Sequence, residues 1–175
     1  NAVVYDLNGI VIRSIPAIHA GDGPVSYIIE YAGMKLVFGG DTSPNKWFVE
    51  HARNADFVIH EAFGTPEYFV KDYNQPPQLA WRACCEFHTS PQAFGKIMST
   101  IKPKHAVAYH FFNEEETRYE IFAGVRETYD LTIRAFNLSE TFRTPVILLL
   151  DEITSVDRAI SALQPLSSQV VEAVS

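Results

Sequence analysis

The chain has 175 residues, 47% apolar and 20% charged, a balance that fits one globular core and excludes a disordered chain. The longest apolar run, Pro145 to Leu150, fits one buried strand and is far too short to cross a bilayer, so no membrane span is expected. Fourteen Lys and Arg against 21 Asp and Glu leave a net charge of −7, which disfavours nucleic acid as a partner.

Two further features bound the reading. Cys84 and Cys85 are the only cysteines, and adjacent residues sit too close for the usual disulfide geometry. A disulfide framework is therefore excluded; the compartment stays open, with the cytoplasm favoured. The chain begins at Asn1, with neither Met nor a charged-then-apolar leader, and is expected to be the C-terminal piece of a longer polypeptide.

In chain order, Val3 to Tyr5 and Ile10 to Ile12 flank Asn8-Gly9, a strong hairpin signal. Ile15 to Ile18 carry the second strand toward His19. Ser26 to Tyr31, a turn at Ala32-Gly33 and Lys35 to Phe38 form a second hairpin, which ends at Gly39-Gly40-Asp41-Thr42. Ser43 as N-cap with Pro44 at the first helical position predicts a helix to about Arg53. Ala55 to His60 reads as a short strand ending in His60-Glu61.

Residues 63–87 have weak periodicity and contain Pro66, Pro76 and Pro77, so a long loop or lid is expected there. Thr89 or Ser90 with Pro91 starts a helix carrying Phe94, Ile97, Met98 and Ile101 on one face, and Pro103-Lys104 stops it. His105 to Tyr109 is a strand ending at His110. Asn113 caps a predicted helix from Glu114 to about Tyr129. Leu131 to Ala135 and Val146 to Leu150 read as strands, and residues 153–174 as one or two amphipathic helices broken at Pro165. This order predicts an α/β layered domain, a mixed, partly parallel sheet with covering helices over 1–152, followed by a helical tail over 153–175.

The chemically useful side chains follow the strands. His19, Asp41, His60 with Glu61, and His110 each come directly after an apolar run, and His88 lies just before a helix. Ligands of open α/β sheets gather outside the carboxyl ends of the strands, so these positions suggest one cluster. Imidazole and carboxylate together suit zinc, with iron or manganese as alternatives. Asp41 could instead cap the helix that follows it, and His60-Glu61 could be a solvated pair. His51 and His105 have no special context.

The series Ile18-His19, Val37-Phe-Gly-Gly-Asp41-Thr42, Val58-Ile-His60-Glu61-Ala62-Phe63, His88-Thr89-Ser90 and Tyr109-His110-Phe111 resembles the metallo-β-lactamase superfamily. More narrowly, it is similar to the ribonuclease Z-like branch, over roughly residues 10–112. The resemblance implies an αββα sandwich, of which this chain matches mainly the second half. It implies His19 on one metal, Asp41 bridging two, and His110 on the second, with zinc expected as two ions per complete site. It implies His88, oriented by Glu61, as proton donor beside the leaving group, and His60 is grouped with these catalytic residues. The metal pair would hold a hydroxide nucleophile.

The superfamily's first signature, His-x-His-x-Asp-His, is absent; the six histidines are 19, 51, 60, 88, 105 and 110. His19 with Asp41 for one metal, and Asp41 with His110 for the other, fall short of the three or four protein ligands a stable zinc site needs. The expected partner is therefore the N-terminal half of the same protein or a complementary chain, and the chain alone is expected to be inactive. A homo-oligomer is also expected.

The expected reaction is metal-dependent hydrolysis of a small-molecule ester, lactone, β-lactam or phosphodiester. Phe63, Tyr68, Phe69, Tyr73 and Trp81 offer an aromatic lid over an apolar pocket. A ribonuclease Z-like tRNA 3′-processing endonuclease is the alternative. The acidic balance and the short hairpin between His19 and Asp41, where bacterial forms of that branch carry a basic arm, weigh against it. A non-catalytic subunit without metals is the third reading.

Overall fold

A computed structural model describes residues 1–21, 23–111, 119, 121–130, 134 and 137. The chain divides into two units, Asn1–Ile133 and Arg134–Ser175. Every element named below lies in the first; of the second only Arg134 and Asn137 are described, and both are helical. The expected strand at Val146 to Leu150, the tail helices and the 152/153 boundary lie outside the described residues.

The first four strands run β1 (Ala2–Leu7), β2 (Ile10–Pro16), β3 (Val25–Tyr31) and β4 (Met34–Phe38). They form an antiparallel meander. Both tight hairpins have two turn residues in the left-handed region, Asn8-Gly9 and Ala32-Gly33. That is the type I′ geometry whose twist matches the flanking strands. β5 (Phe57–Glu61) and β6 (His105–Tyr109) then add in parallel, giving a six-stranded sheet in sequence order.

α1 (Lys46–Ala52) joins β4 to β5. Its N-cap is Asn45, whose side chain accepts the Phe48 N–H; Ser43, the expected cap, instead donates its own N–H to Ile18 O at 2.7 Å. The stretch expected as a loop is mostly helical. Thr65 caps α2 (Pro66–Tyr73), Pro77 opens α3 (Pro77–Trp81), and Arg82–Phe87 form a π-helical turn. Pro66 and Pro77 mislead a reading based on breakers because each occupies the first helical turn, where its missing N–H costs nothing. α4 (Pro91–Ile101) starts, as expected, at the Ser90 cap.

Residues 121–130 form α5, within the helix expected from Glu114. Arg134 is helical inside the stretch expected as a strand over 131–135. β-branched residues favour strands only weakly, and surroundings override that preference.

One face of the sheet carries the core. Ile15, Ile28, Val37 and Val58 pack against Phe48 and Ala52 of α1, Phe94, Ile97, Met98 and Ile101 of α4, and Ile121 of α5. Val37 is paired with both Ile28 and Val58, and Ile15 with Ser26, two residues from Ile28, so all four leave the same face. The opposite face is apolar as well. Tyr27, Tyr31, Met34, Phe57 and Val107 lie on it and are exposed.

At the end of the sheet where β5 and β6 begin, Asp56 ties three strands. Its carboxylate accepts the Lys35 N–H at 2.7 Å and the Lys104 ammonium at 2.6 Å. Lys104 and these hydrogen bonds hold the Asp56 carboxyl below its ordinary 3.8. A carboxylate with a lowered folded pKa stabilises above its unfolded value, and the contribution fades as pH falls through the folded one. Asp56→Asn should therefore destabilise the fold near neutral pH and cost progressively less below 3.8. Denaturant unfolding at the two pH values checks this; a cost independent of pH would contradict it.

Candidate metal centre

The topology decides which strand ends meet. β3 is antiparallel to β2 and to β4, so β2 runs parallel to β4, and β5 and β6 follow the same direction. Four carboxyl ends therefore open on one edge of the sheet. The segments leaving them carry His19, Asp41, Glu61 and His110. His110 turns out of β6 with φ of 63°, a left-handed conformation that a β-carbon disfavours. Such strain at a cluster of polar side chains is a mark of functional sites.

Glu61 is the hub. Its side chain is fully buried, and its carboxylate accepts three hydrogen bonds. Oε1 takes the Thr42 N–H at 2.6 Å and the Thr89 N–H at 3.2 Å, and Oε2 takes His88 Nδ1–H at 2.7 Å. A carboxylate only accepts, so the His88 proton sits on Nδ1 and Nε2 is left for other work. Thr42 extends the network. Its hydroxyl accepts the Ile18 N–H at 2.9 Å and the Asn45 amide at 3.1 Å, and its carbonyl accepts the Thr89 hydroxyl at 2.7 Å. One buried carboxylate thus fixes the residues beside His19, Asp41 and His88 at once.

The cluster itself is compact and partly open to solvent. Donor atoms of His19, Asp41 and His88 all lie within 4.8 Å of one another, as do those of Glu61, His88 and His110. His110 Nε2 stands 3.5 Å from Asp41 Oδ2. The His88 ring lies 4.6 Å from that of His19 and 5.1 Å from that of His110, centroid to centroid. His19 Nδ1–H donates to the Phe87 carbonyl at 2.8 Å, at the end of the π-helical turn, which leaves Nε2 with its lone pair. Tyr109 stacks on Phe38 and lies 5.9 Å from the His110 ring, centroid to centroid. Burial, with the negative charges of Asp41 and Glu61, pushes its phenol above the ordinary 10.0, so the hydroxyl stays protonated.

The metallo-β-lactamase fold protein YhfI from Bacillus subtilis superposes on this chain with a TM-score of 0.53 and 16% identity. The match covers 71% of this chain and 46% of YhfI. The chain carries part of the metallo-β-lactamase fold. Zn²⁺-bound PqqB from Methylobacterium extorquens matches with a TM-score of 0.50 and 13% identity, again over 71% of this chain and 46% of that one. The chain thus spans about half the length of these two structures.

No family model matches the chain. In sequence, 61 residues are 38% identical to Ribonuclease Z 1 of Schizosaccharomyces pombe, covering 33% of this chain and 7% of that protein. Another 39-residue match, at 54% identity, is to 2-oxoglutarate synthase subunit KorA of Methanothermobacter marburgensis, over 20% of this chain and 10% of KorA.

Within this metallo-β-lactamase fold, five of the six residues singled out from the sequence converge: His19, Asp41, Glu61, His88 and His110. His60 does not. It alternates with Glu61 along β5 and faces the core, fully buried between Phe48, at 4.5 Å, and Phe94, at 6.3 Å. Gly39 packs on its ring so closely that a β-carbon there would stand 2.9 Å from His60 Cδ2. Nδ1–H donates to the Glu61 carbonyl at 3.0 Å, and Nε2 has no partner. A catalytic role for His60 is therefore corrected to a core position, since adjacent strand residues cannot share a face. The sequence reading assigns Thr42 and Thr89 no role in holding the site, and offers Phe63 only as part of an aromatic lid. The first two stand inside the motifs, but only tertiary contacts show what they bind.

Two stability measurements check this arrangement. Glu61→Ala strands two backbone N–H groups and the His88 Nδ1–H, and should cost roughly 3–5 kcal/mol in denaturant unfolding. Glu61→Gln keeps one acceptor oxygen and should cost clearly less. Burial pushes His60 below its ordinary 6.5, so the fold keeps it neutral while the unfolded chain protonates. Stability should therefore fall as pH drops below 6.5, by up to about 1.4 kcal/mol per pH unit from this group. His60→Leu should flatten that part of the pH profile; an unchanged slope would refute the assignment.

Proposed function

We propose that this chain supplies part of the metal site of a hydrolase, with metal ions held by His19, Asp41 and His110 and with His88 as proton donor. The convergence of these side chains on one sheet edge, with donor atoms within 4.8 Å in each of two overlapping groups, carries the reading. Imidazole nitrogen with carboxylate oxygen is a donor set suited to zinc, with manganese or iron as alternatives. The free Nε2 of His19, its tautomer set by the Phe87 carbonyl, fits a metal ligand.

His19 and Asp41 would serve one ion, and Asp41 and His110 a second. Neither pair reaches the three or four protein ligands of a stable zinc site. The remaining ligands would come from the N-terminal half of the same protein or from a complementary chain. The exposed apolar face holding Tyr27, Met34 and Phe57 is consistent with such a partner, because a contiguous apolar patch in water marks an interaction surface.

When bound, the metals supply Lewis acidity and an activated water. The chain's own residues do the rest. Asp41 offsets the concentrated positive charge. Glu61 accepts the Nδ1–H of His88 and would steady its imidazolium form, whose second proton, on Nε2, is the one given to the leaving group. The substrate favoured here is a small-molecule ester, lactone, β-lactam or phosphodiester. The net charge of −7 and the aromatic Phe63 on His88, continued by Phe69 and then Tyr73, support it. A second reading, a ribonuclease Z-like tRNA 3′-processing endonuclease, is favoured by the 38% identity over 61 residues to Ribonuclease Z 1.

Metal analysis of the intact assembly should find zinc or another transition metal bound, and Asp41→Ala should lose it. Turnover on a panel of lactone, β-lactam, phosphodiester and tRNA-precursor substrates should fall with it in the same variant. Full turnover or full metal content in Asp41→Ala would sink the proposal.

A further inference from the structure

Phe63 stands where none of the metal-site chemistry described above calls for an aromatic ring, yet it makes the flattest contact to His88 among the described residues. The two ring centroids are 3.9 Å apart and the planes differ by 13°. The rings of His19 and His110 approach His88 at tilts of 60° and 44° instead.

The backbone explains the contact. Past the end of β5 the strand direction continues, with Ala62 N–H donating to Tyr109 O at 3.0 Å and Phe63 N–H to Thr89 O at 2.9 Å. Glu61 and Phe63 are two residues apart on this extended segment, so their side chains leave on the same side. One reaches the Nδ1 edge of His88 and the other covers its face. Phe69 from α2 stacks on Phe63 at 5.4 Å and 26°.

We propose that Phe63 is a positioning residue for His88, fixing the imidazole plane so that Nε2 is held toward the His19–Asp41–His110 cluster. A single hydrogen bond from Nδ1 to Glu61 leaves the ring free to pivot about the N···O line. A parallel aromatic face removes that freedom, because any pivot breaks the stack. The proposal rests on reading His88 as the proton donor, and it concerns the geometry of that donor rather than the metals.

Imidazole NMR of the intact protein tests it directly. The His88 Nδ1–H should be protected from exchange, and its ring protons shifted upfield by the face of Phe63. Phe63→Leu should lose both signatures while retaining cooperative unfolding and metal content, and Phe63→Tyr should restore them. Should Phe63→Leu fail to fold, Phe63→Met, polarizable and not planar, carries the same expectation.

Kinetics on phosphodiester probes add a second readout. Bis(p-nitrophenyl) phosphate expels a leaving group that needs no proton at neutral pH, and diphenyl phosphate one that does. Phe63→Leu should lower kcat about 10- to 100-fold on the diphenyl ester, less on the nitrophenyl ester, with KM unchanged.

Retention of the protected proton and the upfield shifts in Phe63→Leu overturns the proposal. His88→Gln separates the two ideas. If it keeps full turnover while Phe63→Leu loses the NMR signatures, the proton-donor reading fails and the clamp stands. If it abolishes turnover while Phe63→Leu keeps signatures and rates, the clamp fails and the proton-donor reading stands.

Discussion

A carboxylate taken out of water must be repaid in hydrogen bonds, and Glu61 is fully buried. Its two oxygens recover what hydration lost by accepting from Thr42, Thr89 and His88. Each of these donors sits beside a residue of the cluster or is one itself. The constraint therefore runs outward: satisfying Glu61 fixes the Asp41 turn, the start of α4 and the tautomer of His88. Thr42 relays it one step further, through the Ile18 N–H, to the strand end that bears His19. Three of the segments that build the site, those bearing His19, Asp41 and His88, are held in register by one buried charge.

The sheet supplies the other half of the arrangement. Because β2, β4, β5 and β6 all run the same way, their carboxyl ends share one edge. The opposite end is tied by Asp56 with Lys35 and Lys104, well away from the cluster. The faces differ too. One is sealed by α1, α4 and α5, while the other remains apolar and exposed over Tyr27, Met34 and Phe57. The match to each of the two metallo-β-lactamase fold structures covers 46% of that structure.

Period-two alternation sorts the residues at the end of β5. It carries Glu61 and Phe63 to the same side, where they grip His88 from two directions. It carries His60 to the other side, into the core against Phe48 and Gly39. A histidine beside a carboxylate at a strand end reads as a polar pair in sequence, and the pleat separates them.

The sequence by itself determined the two hairpins, the Ser90 cap, the short apolar strands and the list of chemically useful strand-end residues. These are local: turn chemistry, capping and hydrophobic period act within a few residues and need no partner. The motif order also pointed to the metallo-β-lactamase fold. Only the tertiary structure decided that α2 and α3 replace the expected loop, because a proline in a first turn and a proline that breaks a helix look alike in sequence. Only it decided that Asn45 rather than Ser43 caps α1, since the helix starts at Lys46 and the Asn45 side chain accepts the Phe48 N–H. And only it separated His60 from Glu61 and brought Phe63 onto His88, because the side on which a strand residue leaves depends on which face the rest of the chain buries.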